Sequence, residues 1–115
     1  IVVRNNGDIE QIDTIDLGFI LGVVPDISEF IEYFEIQLDP EDCLVLYTDG
    51  ITEAFNDNQQ FYGVERLCEV VKANRHGNAD AIKQAVIDDV FQHAGQESFK
   101  DDITLVTIKQ LPIVN

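Results

Sequence analysis

The chain has 115 residues, 45% of them hydrophobic, which is enough for one small domain with a single core. Its formal net charge is −15 at pH 7, and residues 5–65 contain 15 acidic side chains but no lysine or arginine. An acidic field of this kind repels phosphate backbones and anionic lipid, so it argues against nucleic-acid binding and membrane-surface roles. The sequence contains no run of about 18 apolar residues, so no membrane-spanning segment is predicted.

The first residues and the cysteines indicate the compartment. No basic region followed by an apolar core opens the sequence, so no signal peptide is predicted. Cys43 lies in an apolar run and Cys68 on a predicted helix face, which is typical of small buried side chains in a reducing compartment. We therefore expect a cytoplasmic protein. Because the sequence has no methionine and opens inside an apolar strand, we also expect it to be a fragment of a longer protein.

The first 38 residues predict short strands. Asn6-Gly7 is a tight-turn dipeptide, so residues 1–3 and 9–13 are expected to form a hairpin around it. Residues 18–25 form an apolar segment bounded by glycine and proline, which predicts irregular structure or a short strand. Apolar and polar side chains alternate over residues 33–38, which predicts a half-buried strand.

The most informative stretch follows the turn signals of residues 39–42. Cys43–Tyr47 is apolar or aromatic without a break, which predicts a short strand buried on both faces. Asp49-Gly50 comes directly after it. The dipeptide alone could form a plain hairpin turn, but positions 51, 54 and 55 are apolar at helical spacing, which favours a helical turn. A carboxylate at the end of a buried strand needs a cation, a helix N-terminus or solvent.

Two helices are predicted in the second half of the chain. Apolar positions 64, 67, 68 and 71 predict a helix that ends near His76, with Gly77 as its left-handed cap. A second helix is predicted to begin near Asn78 or Asp80, to carry the apolar positions 82, 85, 86 and 90 on one face, and to end at residues 93–95. Both histidines fall in last turns, where capping of the helix is the ordinary explanation.

The last strand completes the pattern. Residues 103–108 predict a strand preceded by Asp101-Asp102, a pair that could simply be a solvated turn. Strands, then two helices, then a strand predict an α+β fold with a largely antiparallel sheet flanked by helices. A phospho-accepting receiver domain is disfavoured because its alternating β/α units are missing. A dehalogenase-type phosphatase is disfavoured because Tyr47 stands where it would have an aspartate.

Three motifs in this order resemble the metal-dependent protein phosphatases (PPM, or protein phosphatase 2C-like), in the bacterial branch of stage II sporulation protein E and the RsbU regulators. They are Leu-Tyr-Thr-Asp-Gly-Ile-Thr-Glu-Ala at 46–54, Phe-Tyr-Gly-Val-Glu-Arg-Leu at 61–67 and Asp-Asp-Ile-Thr-Leu at 101–105. Residues 18–22 resemble a glycine-flanked segment of the same family. On this resemblance, residues 1–111 are the C-terminal half of a phosphatase domain and residues 112–115 a tail.

The resemblance implies a four-layer αββα sandwich with Mn²⁺ or Mg²⁺ in a two-metal site between its two antiparallel sheets. It implies hydrolysis of phosphoserine or phosphothreonine on proteins by a metal-activated water, so no catalytic side chain is expected in this chain. Asp49 and Asp101 match metal ligands, and Asp102 and Gly50 match neighbours that support them. The implied partner is a phosphoprotein of bacterial signalling, such as an anti-sigma-factor antagonist-like protein.

The chain departs from this family in one respect. The remaining aspartate ligands, and a glycine whose carbonyl completes the site, belong to the N-terminal half of the family's domain. We therefore expect these residues alone to be nearly inactive, and to associate with themselves or with an N-terminal half that completes the sandwich. The alternative is a non-catalytic interaction or regulatory module derived from the phosphatase fold.

Overall fold

The computed structural model describes residues 1–12, 36–95 and 103–112. The elements within these ranges are, in chain order, β1 (Val2–Val3), β2 (Ile9–Glu10), β3 (Cys43–Tyr47), α1 (Asp49–Thr52), α2 (Val64–Ala73), α3 (Ala79–Ala94) and β4 (Leu105–Lys109). The four strands form one antiparallel sheet in the order β2-β1-β3-β4. The fold is therefore α+β with an antiparallel sheet, as predicted. A second sheet, which would complete the sandwich, stays a prediction.

The hairpin of β1 and β2 forms around a three-residue loop. Val3 pairs with Ile9, and the amide of Arg4 donates a hydrogen bond to the Asp8 carbonyl at 2.8 Å. Gly7 ends the loop at φ +98°, a left-handed conformation that glycine adopts without the clash of a Cβ atom. The hairpin is confirmed, but its strands are two residues long, and β2 ends at Glu10 rather than continuing towards residue 13.

β3 has the predicted bounds and pairs with β4 along its whole length, from Cys43 opposite Lys109 to Tyr47 opposite Leu105. β4 begins two residues later than predicted, since Ile103 and Thr104 precede it without strand structure. The prediction of burial on both faces of β3 is wrong. Cys43 and Val45 are fully buried, whereas Leu46 on the opposite face is 47% exposed.

The core lies between one face of the sheet and helices α2 and α3. This arrangement explains why Cys43 and Val45 are more buried than Leu44 and Leu46 in β3, because successive side chains of a strand point to opposite faces, whereas both residues of β1 are buried. The core side chains are, among the described residues, Ile1, Val3, Cys43, Val45, Ile51, Ala54, Tyr62, Leu67, Cys68, Val71, Ile82, Val86, Val90 and Ala94. The opposite face presents a second apolar row, in which Val106 and Ile108 are each 44% exposed.

Helix α3 has well-defined ends. The side chain of Asn78 caps its first turn by accepting a hydrogen bond from the Ala81 amide at 2.8 Å, and Gly95 follows its last turn at φ +73°. The predicted start and end are therefore confirmed.

Helix α2 is shorter than predicted. It ends at Ala73, where Asn74 donates a side-chain hydrogen bond to the Val70 carbonyl at 2.8 Å. His76 therefore lies in the connecting turn, and Gly77 is not in the left-handed conformation that the predicted cap requires. The connection is held instead by the Lys109 ammonium, whose nitrogen donates to the Arg75 and Gly77 carbonyls at 2.8 and 2.6 Å.

Residues 36–38 do not continue the strand predicted for 33–38. They have no strand structure, and the Gln37 carbonyl accepts from the Arg4 guanidinium at 2.8 Å rather than from a neighbouring strand. The rest of that prediction, and the one for residues 18–25, lies outside the described residues.

Both cysteines are buried and unpaired, as predicted. Burial raises the pKa of the Cys43 and Cys68 thiols, so neither has the character of a reactive thiolate.

Candidate metal centre

The ends of β3 and β4 meet at one edge of the sheet. Beyond the last strand pair, Tyr47 opposite Leu105, the Thr48 amide donates to the Thr104 carbonyl at 3.1 Å. The Thr104 amide donates in return to the Thr48 Oγ1 at 3.1 Å. These two bonds continue the strand pairing by one residue and place Thr104 directly beside the residue that precedes Asp49.

Asp49 begins the single-turn helix α1. Thr48 is still extended, at φ −102° and ψ 163°, and its carbonyl accepts from the Ile51 amide at 3.0 Å, so the chain changes direction abruptly at this point. Ile51 is 1% exposed and Gly50 is also buried. The anchor of Ile51 in the core leaves Asp49 on the solvent side of the turn, where it is exposed.

The carboxylate of Asp49 is available for a ligand. Within residues 1–12, 36–95 and 103–112 it takes part in no ion pair or hydrogen bond, whereas Asp42 at the other end of β3 is fully engaged. Because Asp49 is exposed, water can solvate its charge, and a cation can reach the carboxylate without displacing a protein partner.

Asp101 and Asp102 lie outside the described residues. Their predicted roles, and the predicted closeness of the Asp49 and Asp101 carboxylates, therefore stay predictions. The structure does describe Ile103 and Thr104, which follow them in sequence, and it brings Thr104 to Thr48 at the edge where Asp49 lies.

The ligand type at this edge suits a hard divalent cation, but the described residues supply too few ligands to hold one. Mg²⁺ and Mn²⁺ favour carboxylate oxygens, which Asp49 offers. Among the described residues, however, no group of three or more His, Cys, Asp or Glu side chains could hold a metal ion. A complete site therefore needs ligands from residues beyond those described.

A second polar constellation, absent from the sequence-based predictions, lies where the chain enters α2. We call Tyr62, Arg66, Asp89 and His93 the Arg66 cluster. Arg66 holds the Asp89 carboxylate with two bonds, Nε to Oδ2 at 2.9 Å and Nη2 to Oδ1 at 3.0 Å. The Tyr62 hydroxyl donates to the same Oδ2 at 2.7 Å, and the guanidinium lies 5.2 Å from the Tyr62 ring centre.

His93 does more than cap α3. Its Nδ1 is 3.1 Å from the Arg66 Nη1, and its Nε2 is 2.9 Å from the Gln60 carbonyl oxygen. Because a guanidinium only donates, Nδ1 accepts, and the ring proton is on Nε2, which donates to Gln60. The prediction of His93 as a plain cap is therefore incomplete, since the ring joins α2, α3 and the loop before Tyr62.

The electrostatics of the Arg66 cluster indicate a structural clamp. The hydrogen bonds from Arg66 hold the pKa of the Asp89 carboxyl below its usual range against the opposing effect of burial. Burial and the bond to Asp89 raise the pKa of the Tyr62 hydroxyl, so it stays protonated. The sequence carried one signal of this cluster, because Arg66 is the first basic residue after Arg4 and lies three positions after a Phe-Tyr-Gly motif.

A groove lies at the start of α2. It is lined by Tyr62, Gly63, Val64, Glu65, Arg66 and Glu69.

The chain is similar to known proteins both in sequence and in fold. The family model of stage II sporulation protein E (SpoIIE) matches residues 1–110. Protein IcfG of Synechocystis sp. is 33% identical over 94 residues, which are 79% of this chain but 14% of IcfG. The solved SiaA-PP2C domain of Pseudomonas aeruginosa has a similar fold, with a TM-score of 0.57 and 20% identity over 64% of this chain and 30% of that one.

The sheet, the helices and this structural likeness show that the chain has part of a protein phosphatase 2C fold. The chain belongs to the stage II sporulation protein E family. It spans only a small part of the relatives named above. In the part of the chain that the structure describes, no helix is long and apolar enough to cross a membrane.

Proposed function

We propose that this chain contributes to a metal-dependent protein serine/threonine phosphatase in which Asp49 and Asp101 bind Mn²⁺ or Mg²⁺. The observation that carries the proposal is the exposed, unpaired carboxylate of Asp49 at the end of β3, beside the start of the segment that follows Asp101. Asp101 precedes Thr104 by three residues, and three residues of extended chain span at most about 10 Å. Membership of the SpoIIE family supports the same assignment.

Each proposed residue has a distinct task. Asp49 holds the cation from the rigid end of β3, and Asp101 holds it from the segment before β4. Gly50, which is buried next to Asp49, and Asp102, next to Asp101, support the two ligands. A bound divalent cation supplies neutralisation of the phosphoryl charge and a water of lowered pKa. No nucleophilic side chain is needed.

The whole domain requires more chain than these residues. The phosphatase structure to which this chain is similar is more than three times as long as the matched part. We propose that residues outside this chain supply the remaining ligands and the second sheet, and that the 115 residues alone are nearly inactive. The substrate we propose is a cytoplasmic phosphoprotein of a bacterial signalling pathway.

A second candidate is a non-catalytic interaction module that keeps the phosphatase fold. One observation favours it. The outer face of β3 and β4 presents exposed apolar side chains that a protein partner could cover.

Phosphate release from a phosphoserine peptide distinguishes the two candidates. The protein that contains these residues should hydrolyse the peptide with Mn²⁺, and Asp49→Asn should lower the rate by about 10²-fold or more, because electrostatic stabilisation of a transferring phosphoryl group is lost. Asp57→Asn is the matched control, since Asp57 is an exposed aspartate in the loop after α1. A protein that is inactive with both metals would favour the interaction module.

A further inference from the structure

The single turn that carries Asp49 cannot maintain its own geometry. Helix α1 has four residues, far fewer than the roughly 12–15 at which an isolated helix becomes even marginally stable. Its position must therefore come from tertiary contacts. The buried Ile51 fixes its inner side, and the hydrogen bonds between Thr48 and Thr104 fix its start.

The end of α1 is held by the residues that lead into α2. The Gly63 amide donates to the Thr52 carbonyl at 2.9 Å, and the Tyr62 amide donates to the Ala54 carbonyl at 2.7 Å. Between these points the chain makes a small hairpin in which Phe55 is bridged to Phe61. The geometry of α1 therefore depends on where Tyr62 and Gly63 lie.

The Arg66 cluster fixes that position from two helices. Asp89 on α3 accepts from the Tyr62 hydroxyl, and Arg66 on α2 holds Asp89 by its two-bond contact. His93 on α3 reaches the Gln60 carbonyl two residues before Tyr62. The residues on either side of Phe61 are thus fixed to the helical layer, although Phe61 itself is 63% exposed.

We propose that Arg66 and Asp89 are positioning residues for the carboxylate of Asp49, acting through Tyr62, Gly63 and the last turn of α1. This inference rests on the metal site proposed above. Neither residue contacts Asp49. Their effect is on how often the Asp49 carboxylate occupies the orientation in which it binds a cation, and so on metal affinity rather than on any step of the reaction.

The test compares two Arg–Asp pairs that lie towards opposite ends of β3. Arg66→Met in the 115-residue chain should weaken Mn²⁺ binding, followed by water-proton relaxation, about fivefold, the effect of losing roughly one net hydrogen bond. It should also speed amide hydrogen exchange at Gly63 and Glu53, whose bonds hold α1. Arg4→Met breaks the pair with Asp42 and should leave both quantities unchanged.

Conservative variants separate positioning from a general loss of stability. Arg66→Lys keeps a cation beside Asp89 but cannot reach both Asp89 and His93, so it should recover part of the affinity. Tyr62→Phe removes only the hydroxyl bond and should give a smaller loss of the same sign. If Arg66→Met does not fold, the Mn²⁺ affinities of these two variants still test whether the Arg66 cluster positions Asp49.

The outcomes are distinguishable. Equal Mn²⁺ affinity in the unsubstituted chain, Arg66→Lys and Tyr62→Phe would contradict the positioning role while leaving the metal site intact. Equal losses in Arg66→Met and Arg4→Met would contradict it as well, because the effect would then be general. If the unsubstituted chain does not bind Mn²⁺ at Asp49, the metal site itself is wrong and the positioning role falls with it.

Discussion

Asp42 and Asp49 lie just outside the two ends of β3 and have opposite environments. Asp42 is 3% exposed and accepts hydrogen bonds from the Arg4 guanidinium at 2.8 Å and from the amides of Asn5 and Asp39 at 2.9 Å each. Asp49 is exposed and has no such partners among the described residues. The carboxylate of Asp42 is therefore occupied by contacts within the fold, whereas that of Asp49 is accessible to a ligand.

Asp42 is expected to make stability depend on pH. Burial alone would raise the pKa of its carboxyl, but Arg4 and the two amides outweigh that effect and lower the pKa. A lowered pKa in the folded state contributes stability at neutral pH that is lost as the pH falls below about 4. Asp42→Asn should lower the free energy of unfolding at pH 7 by about 1–3 kcal/mol, since buried donors lose their acceptor.

Urea unfolding between pH 3 and pH 7 checks this prediction. The difference between the unsubstituted chain and Asp42→Asn should narrow as the pH falls, because both then lack the charged carboxylate. Asp57→Asn, in an exposed loop, should have no comparable effect. A difference that stays constant over the whole range would show that the charge of Asp42 does not contribute to stability.

At the scale of elements, the local sequence predicted the strand and helix boundaries that depend on local interactions. The uninterrupted apolar run gave β3 its bounds, and Asn78 and Gly95 marked the ends of α3. The failures have tertiary causes. Residues 36–38 form no strand, and the Gln37 carbonyl is bound by Arg4, a residue 33 positions away. Such contacts leave no periodic signal in the sequence.

In the candidate site too, the features that depend on local sequence were predicted and those that depend on tertiary contacts were not. The motif around Asp49 could be recognised from its residue types, and its turn into α1 from the helical spacing after Gly50. Of the Arg66 cluster, the sequence showed only the motif that contains Tyr62 and Arg66, because the four side chains come together only when α2 packs on α3. A single Arg or Asp in a helical sequence predicts only a solvated charge, because the sequence does not show which residue it pairs with in the fold.

At the scale of the whole molecule, the helices cover one face of the sheet, and the other face buries Val2 but exposes apolar side chains where β3 pairs with β4. Leu46, Val106 and Ile108 form an apolar row on the face opposite the helices, each between 44% and 47% exposed. Apolar sheet faces are normally packed against another layer. In the 115-residue chain we expect this row to be covered by a second copy.

Salt should control that association. The net charge of −15 opposes the approach of two copies, and salt screens this repulsion as the Debye length falls from about 10 Å at 0.1 M to about 3 Å at 1 M. Sedimentation at these two salt concentrations should show association that increases with salt. Val106→Lys should abolish it, and Phe61→Lys, which changes an exposed apolar residue in the hairpin after α1, should not. A monomer at both salt concentrations would contradict the prediction that the exposed apolar row mediates self-association.

The central claim is that Asp49 and Asp101 hold one divalent cation at the edge where β3 and β4 end. Mn²⁺ broadens the nuclear magnetic resonance signals of nearby amides, so trace Mn²⁺ added to the ¹⁵N-labelled chain locates its own binding site. We predict that the amides of Thr48, Gly50 and Thr104 broaden together, and that Asp49→Asn and Asp101→Asn each remove the effect. Broadening centred elsewhere, or broadening at this edge that survives both substitutions, would contradict the account.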